Sequence, residues 1–157
     1  MRKRLIAAVQ QQTALPGENW LNMEELAEVE ITSEDATHPI ESALLPGGTS
    51  GWRAAGPGMQ TIRLIFTQPR RLRRIWMNFV DTRTARTQEY VLRWSSDGGQ
   101  SFREIVRQQW NFNPQGATNE MEDYHVDLPA VTVLELNINP DISGGEAFAC
   151  LEQMRLA

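Results

Sequence analysis

The chain has 157 residues, a net charge of -5, and 41% hydrophobic against 22% charged residues, the balance of one ordinary globular domain long enough to bury a core. No apolar run approaches the ~20 residues that a membrane-spanning helix requires. A single cysteine, Cys150, excludes an internal disulfide framework and agrees with a reducing compartment.

Residues 1–26 read as an N-terminal extension that is helical or irregular. Met1-Arg2-Lys3-Arg4 begins like a signal peptide, but the apolar part, Leu5 to Val9, is short and Gln10-Gln11-Gln12 ends it, so a cytoplasmic protein is expected. Arg2 to Gln12 is a helix candidate with Leu5, Ala8 and Val9 on one side. Ala14-Leu15-Pro16-Gly17 breaks it, and Trp20 and Leu21 are expected to dock on the domain that follows, residues 27–157.

Within that domain, Ala27 to Thr32 alternates Val29 and Ile31 with glutamates, a strand pattern. Ser33 to Gly58 is a long connection rich in Ser, Thr, Gly and Pro. Met59 to Phe66 and Leu72 to Val80 then alternate as two further strands. Gln88 to Trp110 reads as a β-hairpin: Tyr90, Leu92 and Trp94 alternate, Asp97-Gly98-Gly99 supplies a turn with positive φ angles, and Phe102 to Val106 resumes the extended run. Asn111 to Asn119 is a loop, and Asp123 to Leu128, Val131 to Asn139 and Phe148 to Leu156 complete about eight strands. Strands in quick succession without crossover helices predict an antiparallel sandwich or barrel and disfavour a parallel α/β fold.

Between Ser50 and Trp110 stand eleven arginines against four acids, whereas the flanks hold the remaining four bases and sixteen acids. Such a split suits either an acidic ligand or, more simply, basic central strands paired with acidic neighbours.

The hairpin residues Ser95, Asp97, Gly99 and Phe102 resemble the Asp-box of sialidases and related propellers. One copy supports a hairpin; it supports neither a propeller, which needs repeats, nor sialidase chemistry. A second resemblance covers roughly Ala27 to Leu156. His38-Pro39-Ile40-Glu41-Ser42-Ala43-Leu44 leading to Ser50-Gly51-Trp52, then the Tyr90 to Gly99 segment, then Leu151-Glu152 in a final strand, together resemble the discoidin or coagulation factor 5/8 C-type domains of the galactose-binding-like group. The resemblance implies an eight-stranded antiparallel jelly-roll β-sandwich without catalytic apparatus, whose end loops bind sugars, lipid heads, peptides or, in some relatives, broken DNA. It also implies that a tryptophan at Trp52 packs under its loop. Many members hold a structural calcium with an Asp-Gly pair, loop carbonyls and a glutamate of the last strand. Here Leu45-Pro46 stands where that pair would be, so calcium is disfavoured and Glu152 is expected to pair with an arginine; no other cofactor is implied.

Catalytic motifs are missing: two histidines, His38 and His125, carry no metal-ligand spacing, Cys150 sits in an apolar strand, and no nucleophile elbow, Walker loop or dinucleotide fingerprint occurs. Binding has more support, since sugar sites join an aromatic platform to planar polar groups. Trp52, Arg53, Arg83, Arg86, Trp110 and Asn113 place those groups in or beside predicted loops. The expectation is a non-enzymatic module for a carbohydrate or similar polar ligand. A protein partner is the alternative. Nucleic acid ranks third, because the Arg70, Arg71, Arg73 and Arg74 side chains would point to different faces.

Overall fold

The computed structural model describes residues 19–157; the helix candidate at Arg2 to Gln12 lies outside them. A one-turn helix α1 (Met23–Leu26), capped by the Asn22 side chain accepting the Glu24 N–H, leads into β1 (Ala27–Ile31). A second short helix α2 (Glu41–Leu44) and strand β2 (Trp52–Pro57) lie inside the stretch read as a plain connection. The remaining strands are β3 (Gln60–Val80), β4 (Arg86–Ser95), β5 (Arg103–Phe112), β6 (Asn119–Asn139), β7 (Phe148–Leu151) and β8 (Gln153–Leu156).

The two predicted strands from Met59 to Val80 are one continuous 21-residue β3, and those from Asp123 to Asn139 are one 21-residue β6. They pair antiparallel along their length, with the register slipping between Ile65 and Arg74. Pro69 and Pro129 lie in that region; lacking an N–H, each leaves a gap in the ladder, and the ribbon bends there.

The ribbon consequently serves both layers of a sandwich. In one layer the order is β1-β3-β6-β4-β5, using the first part of β3 and the second part of β6. In the other, the second part of β3 lies between β6 and β8, and the two-stranded β2-β7 ribbon stands beside it, joined by the Glu152 N–H donating to the Asn78 carbonyl at 2.8 Å. This is the expected eight-stranded antiparallel β-sandwich. Its core follows strand alternation: Ile62, Leu64 and Phe66 from early β3, Ile75, Met77 and Phe79 from late β3, and Tyr90, Leu92 and Trp94 from β4. Phe79 and Tyr90 meet edge to face across the layers, 5.2 Å between centroids. Residues ahead of β1 join the same body: Met23 is in the core, and the Leu21 N–H donates to the Leu156 carbonyl.

The bend and the hairpin turn occupy one end of the sandwich. There Ser95 Oγ bonds Asp97 Oδ1 and receives the Gly99 N–H, Ser101 gives its N–H and hydroxyl to the Asp97 carboxylate, and Gly98 and Gly99 adopt φ of 76° and 93°. The carboxyl-terminal Ala157 lies at this end too, its carbonyl accepting from the N–H groups of Arg73 and Arg74. The opposite end gathers the 81–85, 113–118 and 140–147 loops. Arg86 pairs with Phe112 there, the Asp81 N–H bonds the Thr118 carbonyl, and the Ile142 N–H bonds the Thr87 carbonyl.

The basic centre is neutralised inside the fold. Arg63 and Arg93 both bond Glu135, Arg63 also reaches Glu30, and Arg71, Arg74, Arg86 and Arg107 take Asp127, Asp123, Asp81 and Glu89. The simpler explanation of the charge split therefore accounts for most of these arginines.

One buried acid is not neutralised by a cation. Glu120 is 1% exposed on the inner face of β6; its Oε1 accepts from Gln88, and its Oε2 has no donor among the described residues. Burial raises its pKa to about 8, and the neighbouring Glu122 carboxylate raises it further within that shift. A proton held on Glu120 and shared with Glu122 satisfies both carboxyls. The sign follows: the folded state keeps this proton where an unfolded glutamate has released it, so its contribution is full below about pH 4.5 and is lost as pH rises through about 8. Glu120→Gln is expected to be no more stable than the parent at pH 4.5 and more stable by on the order of 3 kcal/mol at pH 8.5, read by urea denaturation at both pH values.

Candidate functional site

A depression of about 180 Å³ opens at the loop end, lined by His38, Ser50, Trp52, Arg53, Asp81 to Thr84, Phe148, Cys150 and Glu152 among others. One wall is the β2-β7 ribbon, whose register sets Trp52 opposite Leu151 and Arg53 opposite Cys150. Trp52 is 1% exposed, and its indole N–H donates to the Ser33 carbonyl at 3.0 Å; it packs under the loop and offers the pocket only an edge. Arg53 lies over the Phe148 ring, 5.1 Å from its centroid. Its backbone N–H bonds the His38 carbonyl and its carbonyl accepts from Asp35, which fixes the 35–38 segment on the rim.

The other wall is the loop between β3 and β4. Asp81 Oδ1 accepts the backbone N–H groups of Arg83 and Thr84 at 2.8 and 3.3 Å, a local Asx turn, while Oδ2 takes the Arg86 Nε at 2.8 Å. Burial alone would raise the Asp81 pKa, but the bonds from Arg86 and the turn outweigh it, and the carboxyl is held below its ordinary range. Arg86 itself is 5% exposed behind this wall. Its Nη1 donates to the Pro140 carbonyl at 2.8 Å and to Gln88, its Nη2 approaches Cys150 Sγ at 3.4 Å, and its plane lies 4.4 Å from the Phe112 centroid. Arg83 is turned outward and exposed.

The structure thus brings Trp52, Arg53 and Arg83 to one pocket and sets Arg86 behind it as an internal brace. Trp110 and Asn113 lie away from its lining. Trp110 is half-buried, edge to face with Phe112 at 6.5 Å, and Asn113 shapes its own turn, accepting the Gln115 N–H on its side chain. His38, Ser50, Asp81, Thr82, Thr84, Phe148 and Glu152 join the site without having been singled out as ligand-binding residues. Cys150 is a pocket-floor thiol whose pKa burial raises, and Sγ bonds the Val80 carbonyl.

The expected Glu152–arginine pair does not form: among the described residues Glu152 makes no ion pair. Its carboxyl faces the pocket, abutting Gly51, where φ is +64° and an added Cβ would lie 2.9 Å from Glu152 Oε2. Burial raises its pKa, partly opposed by His38. The residues present also do not fit the calcium implied by the resemblance. The loop carbonyls beside Leu45-Pro46 are already taken by a cation of the chain: Arg155, 5% exposed, donates Nη1 to the carbonyls of Ala43 and Met154 at 2.8 Å and Nη2 to that of Leu45 at 3.1 Å. A guanidinium fork supplies the positive charge and the donors that these carbonyls need.

No family model matches the sequence, and no curated protein matches it either. Solved structures do match. The family 32 carbohydrate-binding module of AlyQ, in complex with 4,5-unsaturated mannuronic acid, superposes with a TM-score of 0.61 at 16% identity over 85% of this chain and 95% of its own. The CBM32-1 module of a family 31 glycoside hydrolase from Clostridium perfringens gives 0.67 at 9% identity over 88% and 99%. A second module from that organism, in complex with GalNAc-β-1,3-galactose, gives 0.62 at 16% identity over 83% and 94%. The fold is the galactose-binding-like jelly roll of these modules. At such identities the likeness is one of architecture, and the pocket must be read from this chain's own residues.

Replacing Arg155 by Met keeps the volume but leaves three buried carbonyls without their donor. A loss of ~2–4 kcal/mol is expected, measured by chemical denaturation. Calcium at millimolar excess is expected to leave the melting temperature of the unaltered protein unchanged, since a ligand of the native state would raise it.

Proposed function

We propose that the chain is a non-catalytic carbohydrate-binding module whose ligand sits in the loop-end pocket against Phe148, Arg53 and Arg83. One observation carries the reading: an accessible aromatic ring and two guanidinium groups without carboxylate partners converge beside the hydroxyls of Ser50, Thr82 and Thr84. A sugar presents this chemistry in mirror image, with an apolar ring face and hydroxyls in known directions. The bound saccharides of the structural neighbours support the same class of ligand.

Hydrolysis finds less support in the geometry. Of the two carboxyls lining the pocket, Asp81 is engaged by Arg86 and the turn N–H groups, which leaves Glu152 without the second free carboxylate that glycosidases employ. Nucleic-acid binding is disfavoured because six central arginines already hold acids. A protein partner at the same loops is the alternative, and the experiment separates the two.

On a glycan array, specific binding is expected for the parent protein. Phe148→Ala and Arg83→Ala are each expected to weaken it at least tenfold, about 1.4 kcal/mol, with unchanged melting curves. A blank array together with one stoichiometric protein captured through the same residues would replace this function with the alternative.

A further inference from the structure

The pocket's charge narrows the ligand. Among the described residues, six arginines of the central strands pair with carboxylates, whereas Arg53 and Arg83, both on the pocket, make no ion pair. The nearby acids already have partners, and the Asp35 carboxylate also lies within electrostatic reach of Arg53 and 3.9 Å from His38 Nδ1. Asp81 holds Arg86, and the Asp35 carboxylate accepts the N–H and hydroxyl of Thr37. Glu152 sits on the wall among His38 and Ser50, where burial raises its pKa and His38 opposes that rise. The His38 ring is bonded through Nδ1 to Thr37 Oγ. Two guanidinium forks that no carboxylate of the described residues bonds, converging on one pocket, suit a planar anion.

We infer, on the basis of the carbohydrate function proposed above, that the sugar is an acidic one: a uronic-acid residue whose carboxylate is read by Arg53 and Arg83 while its ring packs on Phe148. A neutral sugar would leave both cations to solvent. A carboxylate gives them charge-assisted bonds in a site partly screened from water.

The test compares a trigalacturonate with galactotriose, two short chains that differ at C6, by calorimetry at low and moderate salt. The trigalacturonate is expected to bind at least tenfold more tightly, with affinity falling as salt rises. Arg83→Gln and Arg53→Gln are each expected to weaken trigalacturonate binding at least tenfold and by more than they weaken galactotriose binding, so that the preference is lost. Arg73→Gln, an exposed arginine without an ion pair at the opposite end, serves as the control and is expected to change nothing. Arg83 is exposed, so its variant isolates recognition from folding. Equal affinity for the two trisaccharides overturns the acidic-sugar assignment and leaves the carbohydrate function standing. A preference that survives both arginine variants, or that falls equally with Arg73→Gln, reduces it to general attraction for polyanions and also overturns it. Binding to no saccharide of either kind, on the array or here, overturns both.

Discussion

The loop end depends on one buried cation. Arg86 ties one wall of the pocket to the strands and loop behind it: it neutralises Asp81, caps the Pro140 carbonyl, lies over the Phe112 ring and approaches Cys150. A charge this deeply buried is tolerated only when its donors are met and its countercharge is near. Meeting them requires the 81–85 and 140–147 loops to come together, so satisfying Arg86 and shaping the pocket are one requirement. The Asx turn at Asp81 then turns Arg83 outward. Two arginines three residues apart thus take opposite tasks, one holding the wall and one standing on it.

The same division of cations recurs through the molecule. The sheet surfaces lock arginines to acids, the α2 loop is held by Arg155 in place of an external ion, and the remaining guanidinium groups of the pocket are left for a ligand. The overall charge of -5 says nothing of this; the local arrangement decides what each end of the sandwich can attract.

Much of the architecture was legible because alternation and turn chemistry are local. The hairpin was readable from Asp97-Gly98-Gly99, and its turn lies at the end opposite the pocket. The continuity of β3 and β6 was not, since Pro69 and Pro129 look like strand ends until the pairing partner shows a bend. Strand β2 was hidden because Trp52-Arg53-Ala54-Ala55-Gly56-Pro57 carries no alternating pattern; its pairing with β7 creates it. Arg86 could have been recognised as internal, because it shares strand parity with Tyr90, Leu92 and Trp94. Phe148 carried a weaker signal, an aromatic residue following the Gly144-Gly145 loop. The role of Glu152 rested on a three-dimensional neighbourhood that linear spacing does not express.

The position of the last residue has a practical side. Ala157 is pinned to Arg73 and Arg74 at the bend of the β3-β6 ribbon, and Leu21 is tied to Leu156 close by. Both ends of the described chain therefore emerge near the pole of the sandwich opposite the pocket. A folded body, tag or solid support attached directly at Ala157 is therefore held away from the loops and leaves their mouth facing outward.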